Sequence, residues 1–134
     1  MKALVTGASS GIGKEMAYYL DKLGYDLILV ARDKVKLEEV QNKLSKKSKI
    51  ERDAKVEIIS MDLTNEENCK EIHNRVKNVD ILINNAGFGL FGDYEDVDLL
   101  KELEMIDVNV KAVHILTRMF LKDMDKRGSG RIIN

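Results

Sequence analysis

The residues best arranged for chemistry stand near the amino terminus, in Thr6-Gly7-Ala8-Ser9-Ser10-Gly11-Ile12-Gly13. They follow a short apolar run, Ala3-Leu4-Val5, and open an amphipathic run from Lys14 to Leu23. A strand, a glycine turn and a helix in that order give a glycine motif its meaning. One glycine permits a tight turn with φ > 0, a second lets main chain approach a phosphate, and a third lets the helix sit close to the strand. The helix N-terminus then aims free N–H groups and its positive dipole end at an anion. The expected ligand carries phosphates, most naturally as a dinucleotide. A nucleoside-triphosphate loop is the nearest competitor, because Gly13-Lys14 echoes its ending. It fails twice: Ala8 holds the leading glycine position, and Glu15 stands where a hydroxyl residue must reach magnesium.

Other chemistry-bearing residues read more plainly. Asp93, Glu95, Asp96 and Asp98 form an acidic cluster without the calcium-loop spacing. Carboxylates favoured by the dipole at a helix start account for it better. His73 and His114 fall in expected helices, with no carboxylate or serine in a recognisable catalytic arrangement, so structural or surface roles are expected. Cys69 is the one cysteine, which rules out an intramolecular disulfide and a cysteine-rich zinc site. No metal site is expected.

The elements that must position the glycine turn alternate in period. Ala3-Leu4-Val5, Leu27 to Val30, Val56 to Ile59 and Ile81 to Ile83 are short and mostly apolar, as strands buried on both faces should be. Between them lie charged runs of helical spacing. Lys14 to Leu23 is the first. Asp33 to Lys46 is the second, with Val35, Leu37, Val40 and Leu44 on one face. Asn65 to Val76 is the third. This pattern predicts parallel strands joined by right-handed crossovers, with the ligand beyond their carboxyl ends. A loop from Asn84 to Gly92 holds Gly87, Gly89 and Gly92. A long helix follows, with Leu99, Leu103, Ile106, Val110, Val113, Phe120 and Met124 as its expected core face and Thr117 filling the gap. Gly128 and Gly130 end it, and Arg131 to Asn134 begin a fifth strand.

Composition sets the outer limits. The 134 residues suit one domain, and 44% hydrophobic residues can form a core. A balance of 22 basic against 23 acidic residues argues against nucleic-acid binding by bulk charge. The longest apolar run, Leu27 to Ala31, is far too short to span a bilayer, and no signal peptide is visible. A cytoplasmic protein without a membrane partner is expected.

Thr6 to Gly13, together with Asn84-Asn85-Ala86-Gly87 after the fourth strand, resembles the single-domain branch of the short-chain dehydrogenase/reductase family. That family carries T-G-x-x-x-G-x-G in its first turn and N-N-A-G after strand four. Asp62-Leu63, Asn109 and Gly130 to Asn134 extend the match, which covers the whole chain but about the first half of a family member. The resemblance implies a three-layer, doubly wound α/β Rossmann fold with a parallel sheet in the order 3-2-1-4, a fifth strand as a stub and the C-terminal part missing. Residues 1–134 would form one dinucleotide-binding domain, with no second domain. It implies roles as well. Gly7, Ser9, Ser10, Gly11, Ile12 and Gly13 would wrap the adenosine phosphate and pyrophosphate. Asp62 would accept from the adenine amino group beside Leu63, or else cap the helix before Thr64 and Asn65. Asn85, Ala86 and Gly87 would line the ribose and nicotinamide side. Asn109 would be the catalytic asparagine that positions a water in a proton relay, or a satisfied polar group at a kink.

Arg32 bears on the cofactor. NAD-binding members hold the ribose 2′-hydroxyl with an acid at the end of strand two. Here that position is Ala31, followed by Arg32. A small residue leaves room for a 2′-phosphate, which a guanidinium can grip with a charge-assisted fork. NADP (NADPH) is therefore expected over NAD, while Asp33 caps the next helix.

The family's catalytic serine, tyrosine and lysine lie beyond strand five, where this chain has stopped. Tyr18 and Lys22 match Y-x-x-x-K by chance, at the wrong end of the topology, and Ser129 precedes strand five. The expectation is the cofactor half of an NADP-dependent oxidoreductase that moves hydride between nicotinamide and a small carbonyl or alcohol substrate. Alone it should bind cofactor weakly and turn over little. A stand-alone dinucleotide-binding module and an inactive remnant of a truncated frame are the alternatives. Nothing in Phe88 to Phe91 selects a substrate. Family members commonly pair through the long helix, here 99–125, so a homo-oligomer stays open.

Overall fold

The computed structural model describes residues 1–47 and 54–134. Five strands alternate with helices: β1 (Lys2–Thr6), α1 (Gly11–Lys22), β2 (Asp26–Ala31), α2 (Lys34–Lys47), β3 (Val56–Ser60), α3 (Glu66–Arg75) and β4 (Ile81–Ile83). A single 3-10 turn (Tyr94–Asp96) precedes α4 (Leu99–Ile106), a π-helical segment (Asp107–Ala112), α5 (Val113–Arg127) and β5 (Arg131–Ile133). All pairings are parallel, and the order is β3-β2-β1-β4-β5. This is a doubly wound α/β fold of the Rossmann type.

Strand alternation builds both faces of the core. Ala3, Val5, Leu27 and Leu29 pack against Ala17, Leu20 and Leu37 of α1 and α2. Leu4, Ile28, Val30 and Leu82 pack against Ile72 of α3 and Leu116 and Phe120 of α5. The inner strands β1, β2 and β4 are apolar along most of their length because both faces are covered there. Leaving β1, the chain winds outward through β2 and β3, then returns to lay β4 on the other side of β1. The resulting crevice between the carboxyl ends of β1 and β4 is where such sheets take ligands.

Two helix faces differ from expectation. Val35 is 65% exposed, while Leu37, Val40 and Leu44 are buried. On the long helix, Leu99, Leu103, Ile106 and Val110 are all exposed. The buried residues are instead Val108, Ala112, Leu116, Phe120 and Met124, spaced by four. A reading with one helical phase from 99 to 124 cannot survive a π segment, whose wider turn rotates everything before it relative to everything after. Phe120 and Met124 do face the core. Gly128, at φ +69°, ends α5 in the left-handed region. Within the acidic cluster, Asp98 caps α4 by accepting from the Leu100 N–H at 3.0 Å.

Candidate cofactor cleft

The turn from β1 into α1 is held from inside. Thr6 is buried, and its Oγ1 accepts from the N–H groups of Asn85 and Ala86, both at 3.0 Å, while donating to the Ile83 carbonyl at 3.3 Å. Asn85 Nδ2 donates to the carbonyls of Thr6 at 3.1 Å and Gly7 at 3.3 Å. The ends of β1 and β4 are thus laced together by one hydroxyl and one amide. Gly13 makes the lacing fit: a Cβ there would overlap the Asn85 amide nitrogen and lie 2.5 Å from the Gly7 carbonyl oxygen.

The outer side of the turn is bare. Gly11 has φ +53°, and a Cβ on it would meet no protein atom within 4 Å. Ser10 precedes α1 in extended conformation without a side-chain cap, and no acid occupies the first turn. The opening N–H groups of α1 therefore face outward with neither a capping oxygen nor a carboxylate to satisfy them. A cradle of unfilled main-chain donors fits a pyrophosphate.

These groups open onto a cleft of about 520 Å³, within the size range of small-molecule and cofactor sites. Gly7, Ser9, Ser10, Gly11, Ile12, Arg32, Asp62, Leu63, Asn85, Ala86 and Gly87 all line it. Gly13 stands behind the turn. Asn109 lies on an adjoining hollow with Asn84 to Gly89. Both ends of its amide engage one residue: Oδ1 accepts from the Phe88 N–H at 3.0 Å, and Nδ2 donates to the Phe88 carbonyl at 2.8 Å. Asn109 thus pins the loop after β4, and a Cβ on Gly87 would fall 2.8 Å from its Oδ1.

The far wall follows β2 and β3. Ala31 is buried, and the Arg32 guanidinium makes no hydrogen bond or ion pair among the described residues. Asp33 caps α2 through Oδ1, which accepts from the Lys36 N–H at 3.1 Å. That bond, aided by the Lys36 ammonium, holds the Asp33 carboxyl below the usual carboxylate range. Asp62 forms a local turn by accepting from the Thr64 N–H at 3.0 Å through Oδ1, while Asn65 caps α3. Cys69 is fully buried behind this wall, and burial pushes its thiol up to about 11, so it stays protonated.

Three contacts escaped sequence reasoning. Lys36 lines the cleft, although helical spacing alone marks it as solvated surface. The Asn84 amide, buried at the end of β4, donates to Thr117 Oγ1 at 3.0 Å and Asn134 Oδ1 at 2.8 Å; its own Oδ1 has no partner among the described residues. His73 does have a carboxylate: its Nε2 lies 2.8 Å from Asp123 Oδ2, and its ring meets Phe120 edge-on at 5.0 Å. This pair ties α3 to α5 and neither residue lines the cleft, in keeping with a structural role. The 50 residues separating its members hide it from any local pattern.

Known proteins are similar to this chain in sequence and fold. The chain is 38% identical over 135 residues to the 3-oxoacyl-acyl-carrier-protein reductase FabG of Rickettsia prowazekii, covering 98% of this chain and 52% of that one. A bulky-bulky ketone specific alcohol dehydrogenase from Comamonas testosteroni superposes with a TM-score of 0.90 at 32% identity, over 99% of this chain and 53% of that one. A short-chain dehydrogenase from Sphingobium yanoikuyae, solved in complex with NADPH, gives 0.89 at 33% identity, over 98% and 51%. The chain spans about half the length of the curated relatives it matches. Among the described residues, no helix is long and apolar enough to cross a membrane. With the short chain dehydrogenase family matched from residue 1 to residue 134, this chain belongs to that family of oxidoreductases.

Proposed function

We propose that residues 1–134 form one dinucleotide-binding domain, the cofactor-holding part of an NADP-dependent oxidoreductase acting on a small carbonyl or alcohol compound. When bound, the nicotinamide cofactor supplies or accepts hydride. The chain's own residues bind and orient it. Ser10, Gly11 and Ile12 would hold the pyrophosphate on main-chain N–H groups, with Ser9 and Gly7 beside them and Gly13 supporting the turn. Asp62 would take the adenine amino group next to Leu63, since its Asx-type bond leaves one carboxylate oxygen uncommitted. Asn85, Ala86 and Gly87 would form the ribose and nicotinamide wall. Asn109 would place that wall by gripping Phe88, and so act as a positioning residue beside the reacting end.

The observation that carries this reading is one cleft lined by both the bare turn and an unpaired Arg32. A cleft lined by both suits a dinucleotide with an added phosphate on the ribose at the Arg32 end. A charge-assisted hydrogen bond to that phosphate is worth about 1.5–3 kcal/mol, or roughly ten- to over a hundredfold in affinity. Titration of the chain with NADPH and NADH tests it. NADPH should bind tighter, and Arg32→Ala should erase most of the preference. An unchanged preference would remove Arg32 from the site.

The reading extends to assembly. Leu99, Leu103 and Ile106 leave an apolar face of α4 exposed, which supports pairing of two copies through the long helix. Sedimentation across a concentration range would reveal that pairing.

A further inference from the structure

We propose that Lys36, in the first turn of α2, is a second cation of the 2′-phosphate site and sets its net charge; this rests on the reading of Arg32 above. Arg32, Asp33 and Lys36 line one lip of the cleft. An unengaged Asp33 carboxylate would repel a phosphate dianion and would suit a ribose 2′-hydroxyl instead. Asp33 is not unengaged. Its Oδ1 accepts the Lys36 N–H at 3.1 Å, and its Oδ2 lies 3.4 Å from the Lys36 ammonium.

The consequence is a matter of charge. With Lys36 in place, the lip keeps one net positive charge. Without it, Arg32 and Asp33 cancel. The Lys36 side chain is 60% exposed, so its bond to Asp33 is a weak surface pair that costs little to exchange. Its four-carbon stem lets the ammonium swing from Asp33 to an arriving phosphate. Asp33 Oδ1 keeps its helix-capping bond when that happens, and only Oδ2 is released. Lys34, two residues earlier, pairs with Glu38 at 3.8 Å and does not line the cleft. It carries the same charge on the same turn in another direction.

The test is titration of the 134-residue chain and its Lys36→Met, Lys36→Arg, Lys34→Met and Arg32→Ala variants with NADPH and NADH, at low and high salt. Lys36→Met should weaken NADPH by about three- to fivefold at low salt, an effect that shrinks at high salt. NADH should bind unchanged or tighter, because Asp33 Oδ2 loses its ammonium partner and can accept from a hydroxyl while Oδ1 keeps the cap. Lys36→Arg should keep the parent preference, and Lys34→Met should move neither cofactor. Equal weakening of both cofactors by Lys36→Met, or the same loss from Lys34→Met, would overturn the assignment. A shifted preference in Arg32→Ala with none in Lys36→Met would overturn Lys36 alone. An unchanged preference in Arg32→Ala, or no binding of either cofactor, would overturn the underlying reading as well.

Discussion

Replacing Gly13 with alanine sets two effects against each other. Gly13 lies inside α1, where alanine should gain about 1 kcal/mol over glycine. Against this, the new Cβ would overlap the Asn85 amide and lie 2.5 Å from the Gly7 carbonyl oxygen. The carbonyl is main chain and cannot swing aside. Overpacking of this kind costs about 1–3 kcal/mol. Pushing Asn85 away also sacrifices its bonds to Thr6 and Gly7, about 1 kcal/mol each. The balance is a loss of about 2–4 kcal/mol. Urea unfolding followed by circular dichroism should show a lower midpoint with an unchanged slope. Gly11→Ala is the contrast. Its Cβ meets nothing, so it carries only the left-handed strain at φ +53°, about 1–2 kcal/mol. Its larger effect should be on NADPH binding, since that Cβ enters the cleft. A Gly13→Ala protein as stable as the parent, or more stable, would refute the account of how this turn is held.

Other outcomes follow from the same contacts. Thr6→Val keeps the shape but strands two part-buried N–H donors, so it should cost about 2–4 kcal/mol in urea unfolding, with Thr6→Ser recovering most of it. Asn109→Ala frees Phe88 at both its N–H and its carbonyl; hydrogen exchange at the Phe88 amide should quicken while exchange in β1 and β2 does not change. Asp123 is held below its ordinary value of 3.8, chiefly by the hydrogen bond from His73. A depressed carboxylate stabilises the fold above its unfolded value and loses that contribution as pH falls through the lower folded one. Asp123→Asn should therefore lower the unfolding midpoint above about pH 4, with the gap to the parent closing in stronger acid.

Much of this fold was legible because its signals are local. Four strands announce themselves as mostly apolar runs, and the glycine turn has its strand before it and its helix after it. Their order along the chain fixes where β4 must return, and hence where the crevice lies. What stayed hidden is what depends on phase or distance. The π segment around Asn109 turns the face of α4 away from the core, and no residue type in Asp107 to Ala112 announces it. The Thr6 hydroxyl reads as a motif letter, yet it joins strands 77 residues apart in sequence. Lys36 and Lys34 are indistinguishable by pattern; only the turn of α2 decides which one reaches the cleft. The His73–Asp123 tie needs α3 and α5 side by side before it exists.

The central claim is that main-chain N–H groups at the start of α1 receive the cofactor's phosphates. The most direct measurement is a titration of the isotope-labelled chain with NADPH, followed through its amide resonances. The account predicts saturable shifts at Ser10, Gly11 and Ile12, with Arg32 moving in step and with NADH producing the turn shifts at higher concentration. Saturable binding that moves other amides and leaves Ser10 to Ile12 in place would contradict it.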